Sequence, residues 1–269
     1  MASWPLPTLH AIQLTEIDSS QPEEKPMSEN FIIERDGGIL RVTINRPDAG
    51  NAITDAMALE LTGIVIAAPK TSRMVLLRGA GKDFCVGRAA PPPPATNPEA
   101  MERRRFSDIV FNTYGTIRDC AVPVVCVVQG RALGFGCAVA AVADITIASD
   151  NATFQVPEML HNILPTMVMS ALVDRASRKA LSYLVYSTKE VSAERALSYG
   201  IVSDVVPRAE LEDAVRTLCA NILQAPAVAT EGVKDYLRRA MSMDVPSAVD
   251  YARNLHAVVN SSSEIRKKH

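Results

Sequence analysis

Apolar and polar positions begin to alternate regularly at Phe31. In FIIERDGGILRVTINRP, Leu40, Val42 and Ile44 alternate with Arg41, Thr43 and Asn45 behind an Asp-Gly-Gly turn. A period of two on the far side of such a turn predicts a β-hairpin with one buried face. The period then changes. Thr54 is placed to cap a helix that carries Met57, Leu61, Ile64 and Val65 on one side and that Pro69 stops. RMVLLRG (73–79) predicts another strand; a PPPP block at 91–94 predicts an irregular loop, and helical spacing resumes over 99–118.

VPVVCVV (122–128) is apolar at nearly every position and predicts a strand. It runs into GRALGFGCAVAAVADITIAS (130–149), which sets three glycines among small residues. Glycines after a strand and before a helix let something come close to main-chain N–H groups. Strands follow at DITIAS and ATFQV, then a long helix after Pro165, a shorter one from Ser192 to Gly200, a strand in IVSDVVP, and helices through the last sixty residues. Strand, strand, helix, closed by a helical tail, predicts an α/β fold with no solenoid period. Residues 1–27 lack the basic start and continuous apolar centre of a signal peptide and read as a loose, Pro-bearing leader.

With 269 residues, 48% hydrophobic and 22% charged, the chain can bury one large core with a helical appendage. A net charge of -2 argues against binding nucleic acid or an acidic membrane surface by charge. The apolar runs are too short to span about 30 Å of hydrocarbon, so no membrane partner is expected. Five cysteines without a CxxC pair, three of them inside apolar runs, suit small hydrophobes in a reducing cytoplasm.

Two glycine-bearing turns carry the chemical possibilities: GAGKDFCVGRAA (79–90) and the 130–149 stretch. Each can aim N–H groups at a developing oxyanion, or can simply be a tight turn. Gly134, Gly136 and Asp150 imitate a dinucleotide fingerprint, but the third glycine is missing and Arg131 and Phe135 crowd the turn. His10 and His269 lie at the ends and His256 in the tail, leaving His161 as the central histidine. Without a ligand cluster or a GxSxG elbow, neither a metal nor serine-hydrolase chemistry is expected. Glu158, in FQVPEMLHNILP, has apolar neighbours that would raise its pKa toward a value useful for proton transfer. A carboxylate after Pro157 can equally serve a helix N-terminus.

Several of these segments, taken in order, resemble the crotonase superfamily of enoyl-CoA hydratases and isomerases. LRVTINRPDAGNAIT, VLLRGAGKDFCVG, VPVVCVVQGRALGFGCAVAAVADITIAS, FQVPEMLHNILP and SAERALSYGIVSDVVP carry the resemblance from Phe31 onward. It implies a crotonase-like spiral of ββα units over residues 28–206. It also implies a C-terminal helical region, 207–269, that completes the site and packs in homotrimers or dimers of trimers. The implied substrate is an acyl-CoA thioester, with no cofactor because coenzyme A is part of the substrate.

The thioester oxygen would be held by the backbone N–H groups of Arg88 and Phe135, and Glu158 becomes the catalytic acid or base. Lys82, beside the first turn, and Lys234, in the helix after Pro226, are the candidate cations for the CoA nucleotide phosphates, with a solvated lysine as the alternative at each. Three departures bear on the reaction. Phe135 stands where the family has a second glycine, Arg88 and Ala89 replace an Ala-Asp pair, and Ala138 replaces the first of the two hydratase glutamates. Thr166, Met167, Val168 and Met169 also replace a glycine-rich segment. The guanidinium of Arg88 is expected in solvent, and His161 is placed to assist Glu158 if the two share a helical face. A single glutamate suffices to move a proton between two carbons of an enolate, so isomerase and hydratase chemistry both stay open, beside a catalytically impaired acyl-CoA-binding paralogue.

Overall fold

The structure, a computed structural model, describes residues 29–89 and 98–266. The leader, the proline block, His10 and His269 lie outside the described residues. Strands β1 (Phe31–Asp36) and β2 (Ile39–Ile44) form the expected hairpin, with Phe31 opposite Ile44 and Asp36 opposite Ile39. Its two-residue loop puts Gly37 and Gly38 at φ +54° and +91°, which side chains other than glycine rarely adopt. Helix α1 (Asp55–Ala67) starts where Thr54 Oγ1 accepts the Met57 N–H, and buries Met57, Ala58, Leu61 and Val65. Next come β3 (Met74–Gly79), α2 (Ala100–Asp119) and β4 (Val124–Val128).

The glycine stretch contains an element that its spacing hides: a three-residue strand β5 (Arg131–Leu133) ahead of α3 (Phe135–Val142). Strands β6 (Ile145–Ser149) and β7 (Thr153–Gln155) follow. The long helix expected after Pro165 is two, α4 (Thr166–Leu172) and α5 (Arg178–Ser187). Ser177 separates them, because its Oγ accepts the Ala180 N–H and starts a fresh helix. Then come β8 (Val191–Ser192), α6 (Ala193–Ser198), β9 (Asp204–Val206), α7 (Leu211–Gln224), α8 (Ala227–Ala240), α9 (Val245–Asn260) and α10 (Ser263–Arg266).

Six strands form one sheet in the order β1-β2-β3-β4-β6-β9, parallel after the hairpin. A smaller sheet runs β5-β7-β8. Both faces of the large sheet are covered, which explains why its central strands are apolar without a break. Val75, Leu77, Val124 and Cys126 join the core formed with α1, α2 and α3, while Met74, Leu76, Val125 and Val127 pack on Leu211, Val215 and Cys219 of α7. Helix α3 is buried at every residue, so its run of Gly, Ala, Cys and Val is the price of threading a helix between neighbours.

Lys234 corrects an expectation. Its side chain is 4% exposed, and its ammonium donates to Asp144 Oδ2 at 2.5 Å and to the Ile117 carbonyl at 3.3 Å. Asp144 Oδ2 also accepts the Val124 N–H at 2.7 Å. Lys234 therefore docks α8 onto the large sheet and is not free to meet a nucleotide phosphate. Breaking a buried pair leaves one charge uncompensated, so Lys234→Ala is expected to lower unfolding stability in urea by about 3 kcal/mol. The double variant Lys234→Met/Asp144→Asn should recover most of that loss; a single-variant loss below about 1 kcal/mol would mark the pair as an ordinary surface contact.

Candidate active site

Two backbone segments approach each other more closely than side chains allow. The Cys85 N–H donates to the Arg131 carbonyl at 3.1 Å and the Leu133 N–H to the Cys85 carbonyl at 2.9 Å. Buried Asp83 fastens the same pair of segments, accepting from the Arg131 N–H at 3.0 Å and from its Nε and Nη2 at 3.1 and 2.8 Å. The guanidinium beside it holds the Asp83 carboxyl below the usual carboxylate range. A Cβ on Gly136 would lie 2.2 Å from the Cys85 carbonyl oxygen, and one on Gly130 2.3 Å from that of Lys82. What comes close at these two glycines is the neighbouring chain itself. Burial pushes the Cys85 and Cys137 thiols beside this seam up to about 12, so both act as packing groups.

Above the seam lies a cleft of about 500 Å³, walled by Val86, Val110, Tyr114, Phe135, Pro157, Leu164, Met167 and Val168 among others. Arg88, Gly134, Glu158 and His161 also face it. The Ile53 N–H donates to the Gly87 carbonyl at 2.9 Å and the Ala89 N–H to the Ile53 carbonyl at 2.8 Å. In that parallel bridge the N–H of Arg88 turns away from Ile53. Phe135 is the first residue of α3, where an N–H has no partner in its own helix. Before it, Gly134 sits at φ +49°, ψ −111°, a conformation only glycine holds without strain.

Glu158 opens a 3-10 turn, Glu158–His161, after Pro157. A Cβ on Gly134 would meet its Oε1 at 2.7 Å, which puts the carboxyl directly over the entry to α3. Its Oε2 is buried with no hydrogen-bond partner among the described residues. Burial raises its pKa above the ordinary value of 4.5, opposed by a backbone hydrogen bond at its own residue and by the nearby His161. Glu158 and His161 therefore share one turn and one cleft. Arg88 corrects a second expectation: its guanidinium does not run into solvent but pairs with Asp55 at the start of α1, Nε to Oδ1 at 2.6 Å. Lys82 is exposed on the first turn and is not among the residues lining the cleft. The Met167 and Val168 that replace glycines do line it.

Sequence reasoning missed Tyr114. It lies in α2 at helical spacing from Val110 and Ile117, indistinguishable there from a core position. It is 3% exposed, its ring lies 5.4 Å from that of Phe135 in a tilted contact, and it lines the cleft. Burial and, after it, the charge of Glu158 keep its phenol protonated far above the usual range. Ala138 is fully buried and does not line the cleft.

The chain is similar to known proteins over most of its length. The family model described as enoyl-CoA hydratase/isomerase matches residues 34–268. A short-chain-enoyl-CoA hydratase of Clostridium acetobutylicum is 31% identical over 229 residues, 82% of this chain and 86% of that protein. A crotonyl-CoA hydratase of Syntrophomonas wolfei is 31% identical over 231 residues, 80% of this chain and 87% of that one. The crystal structure of an enoyl-CoA hydratase from Mycobacterium smegmatis superposes with a TM-score of 0.82 at 26% identity, over 90% of this chain and 93% of that one. A Thermobifida fusca structure in complex with CoA superposes with a TM-score of 0.76 at 25% identity, covering 85% and 92%.

The burial of Glu158 sets the sign of a pH effect. The folded chain binds this proton more tightly than the unfolded chain does. The resulting stability is fully present below 4.5 and is lost as pH rises through the folded pKa. Glu158→Gln, which cannot ionise, is therefore expected to unfold at higher temperature than the natural chain at about pH 8, with the gap closing toward about pH 4. A gap independent of pH would contradict the buried, raised carboxyl.

Proposed function

The chain belongs to the enoyl-CoA hydratase/isomerase family of the crotonase superfamily, and on that premise we propose that it stabilises an acyl-CoA thioester enolate while Glu158 moves the proton. The observation that carries the reading is the placement of the Glu158 carboxyl over Gly134, beside the first N–H of α3, in a cleft with apolar walls. The thioester oxygen takes hydrogen bonds from the Arg88 and Phe135 N–H groups. Each such donor contributes about 3 kcal/mol to the transition state, because it is fixed where negative charge develops. The dipole of α3 adds in the same sense. Coenzyme A arrives as part of the substrate and no cofactor is needed.

In isomerisation of a 3-enoyl thioester, the Glu158 carboxylate takes a proton from Cα and the electron pair moves onto the thioester oxygen as a dienolate. The same proton returns to Cγ, leaving the 2-enoyl product. In hydration, water adds through oxygen to Cβ of a 2-enoyl thioester while Glu158 takes its proton. The enolate then collapses as that proton passes to Cα. Either course needs one carboxylate only, which fits Ala138 at the position of the other. A carboxyl with a raised pKa is suited to both halves of such a transfer, as acceptor and then as donor.

In this reading residues 28–206 form the catalytic core and the helices of 207–269 assemble homotrimers or dimers of trimers. Supporting it, Val233, Leu237, Met241, Val245 and Val258 of α8, α9 and the turn between them are exposed. Lys82 is the candidate for the CoA phosphates. The buried, unpaired thiols suit a reducing cytoplasm.

Incubation with 2-enoyl- and 3-enoyl-CoA thioesters in heavy water tests the proposal. Gain of a water or migration of the double bond is expected, falling by roughly a hundredfold or more in Glu158→Gln. The rate of the natural protein should fall on the acid side through a pKa above 4.5, since only the carboxylate accepts the first proton. Equal rates in the two proteins would remove Glu158 from the mechanism. Tight acyl-CoA binding with no turnover of any thioester would favour the catalytically impaired paralogue.

A further inference from the structure

We propose that the Tyr114 hydroxyl is a substrate-recognition group, donating a hydrogen bond to an oxygen at C3 of the bound acyl chain. The inference rests on the acyl-CoA reading above and adds a ligand feature to it. Ala138 leaves no carboxyl on α3, and that residue is closed off from the cleft. The wall beside the start of α3 is made instead by the rings of Phe135 and Tyr114 in contact. Of these two only Tyr114 carries a polar atom beyond its backbone, and the residue lines the cleft while only 3% exposed.

The helix that presents Tyr114 is held rigidly. Its neighbour Thr113 bonds through Oγ1 to the Ile109 carbonyl at 2.9 Å and meets Thr62 Oγ1 of α1 at 3.0 Å. Val110, one turn earlier, lines the same wall. The phenol therefore stands as a fixed donor on the aromatic wall beside α3. Its ring rests on the side chain of the residue whose N–H is assigned to the thioester oxygen, so the hydroxyl serves the acyl chain beyond the thioester. Burial and the charge of Glu158 keep it protonated, so it is a donor at every working pH. A saturated chain lying there leaves that donor desolvated and unpaired, whereas a hydroxyl or keto oxygen at C3 satisfies it. A site built to bond a substrate oxygen discriminates strongly against the analogue that lacks it.

The test is a calorimetric comparison of butyryl-CoA with each enantiomer of 3-hydroxybutyryl-CoA. It uses the full chain carrying Glu158→Gln, so that neither ligand turns over, with and without Tyr114→Phe. Without the Tyr114 change, at least one 3-hydroxy enantiomer is expected to bind roughly tenfold more tightly than butyryl-CoA. With Tyr114→Phe the preference should fall to about one while butyryl-CoA binds as well as before, which a merely structural tyrosine would not produce. A preference that survives Tyr114→Phe, or none to begin with, overturns the inference and leaves the acyl-CoA reading standing. If neither thioester binds, both fall.

Discussion

The cleft depends on one close approach, that of residues 79–89 to residues 129–136. Gly130 and Gly136 each lie where a Cβ would fall within 2.3 Å of a carbonyl oxygen of the other segment. Hydrogen bonds cross this seam: Asp83 grips Arg131, and Gln129 Nε2 reaches the Gly79 carbonyl at 2.7 Å. Buried backbone groups must be paired, and here pairing and steric exclusion demand the same residues. Once the seam closes, the N–H of Arg88 and the start of α3 have little freedom left. The site is rigid because its floor is backbone.

Function then sits on the least comfortable groups of the fold. Glu158 keeps a carboxyl oxygen without a hydrogen-bond partner among the described residues, in a cleft with mostly apolar walls, and Gly134 adopts a conformation strained for other residues beneath it. Each works against stability, and each is what a proton-transfer site needs: a base neither quenched by a salt bridge nor flooded by water. Arg88 shows the opposite arrangement. Its guanidinium is paired with Asp55 at the start of α1 while the residue lines the cleft. The rings of Phe135 and Tyr114, in contact, and the Glu158 carboxyl line the same cleft.

The hairpin, α1, the buried central strands and the helical tail were legible because each depends on local rules: a Gly-Gly loop, a capping threonine, apolar runs of strand length. Strand β5 was not, since RAL between two glycines carries no period, and its pairing with β7 and with Cys85 makes it a strand. The break at Ser177 was hidden inside a helical pattern. Glu158, Arg88 and Phe135 came from the order of motifs, and the structure brings all three to one cleft. Lys234 and Tyr114 failed in opposite ways for the same reason. A lysine on a terminal helix reads as solvated until an aspartate 90 residues earlier turns out to face it. A tyrosine at helical spacing reads as core until the cleft beside its ring is seen.

The account turns on two N–H groups polarising a thioester carbonyl. Infrared difference spectroscopy of the intact protein with an acyl-CoA labelled with carbon-13 at that carbonyl reads this directly. If the N–H groups of Arg88 and Phe135 hold the oxygen, the labelled stretch moves to lower frequency on binding, because hydrogen bonding lengthens the C=O bond. A bound carbonyl that vibrates at the frequency of the free thioester in water, or higher, would mean that nothing in the cleft grips it.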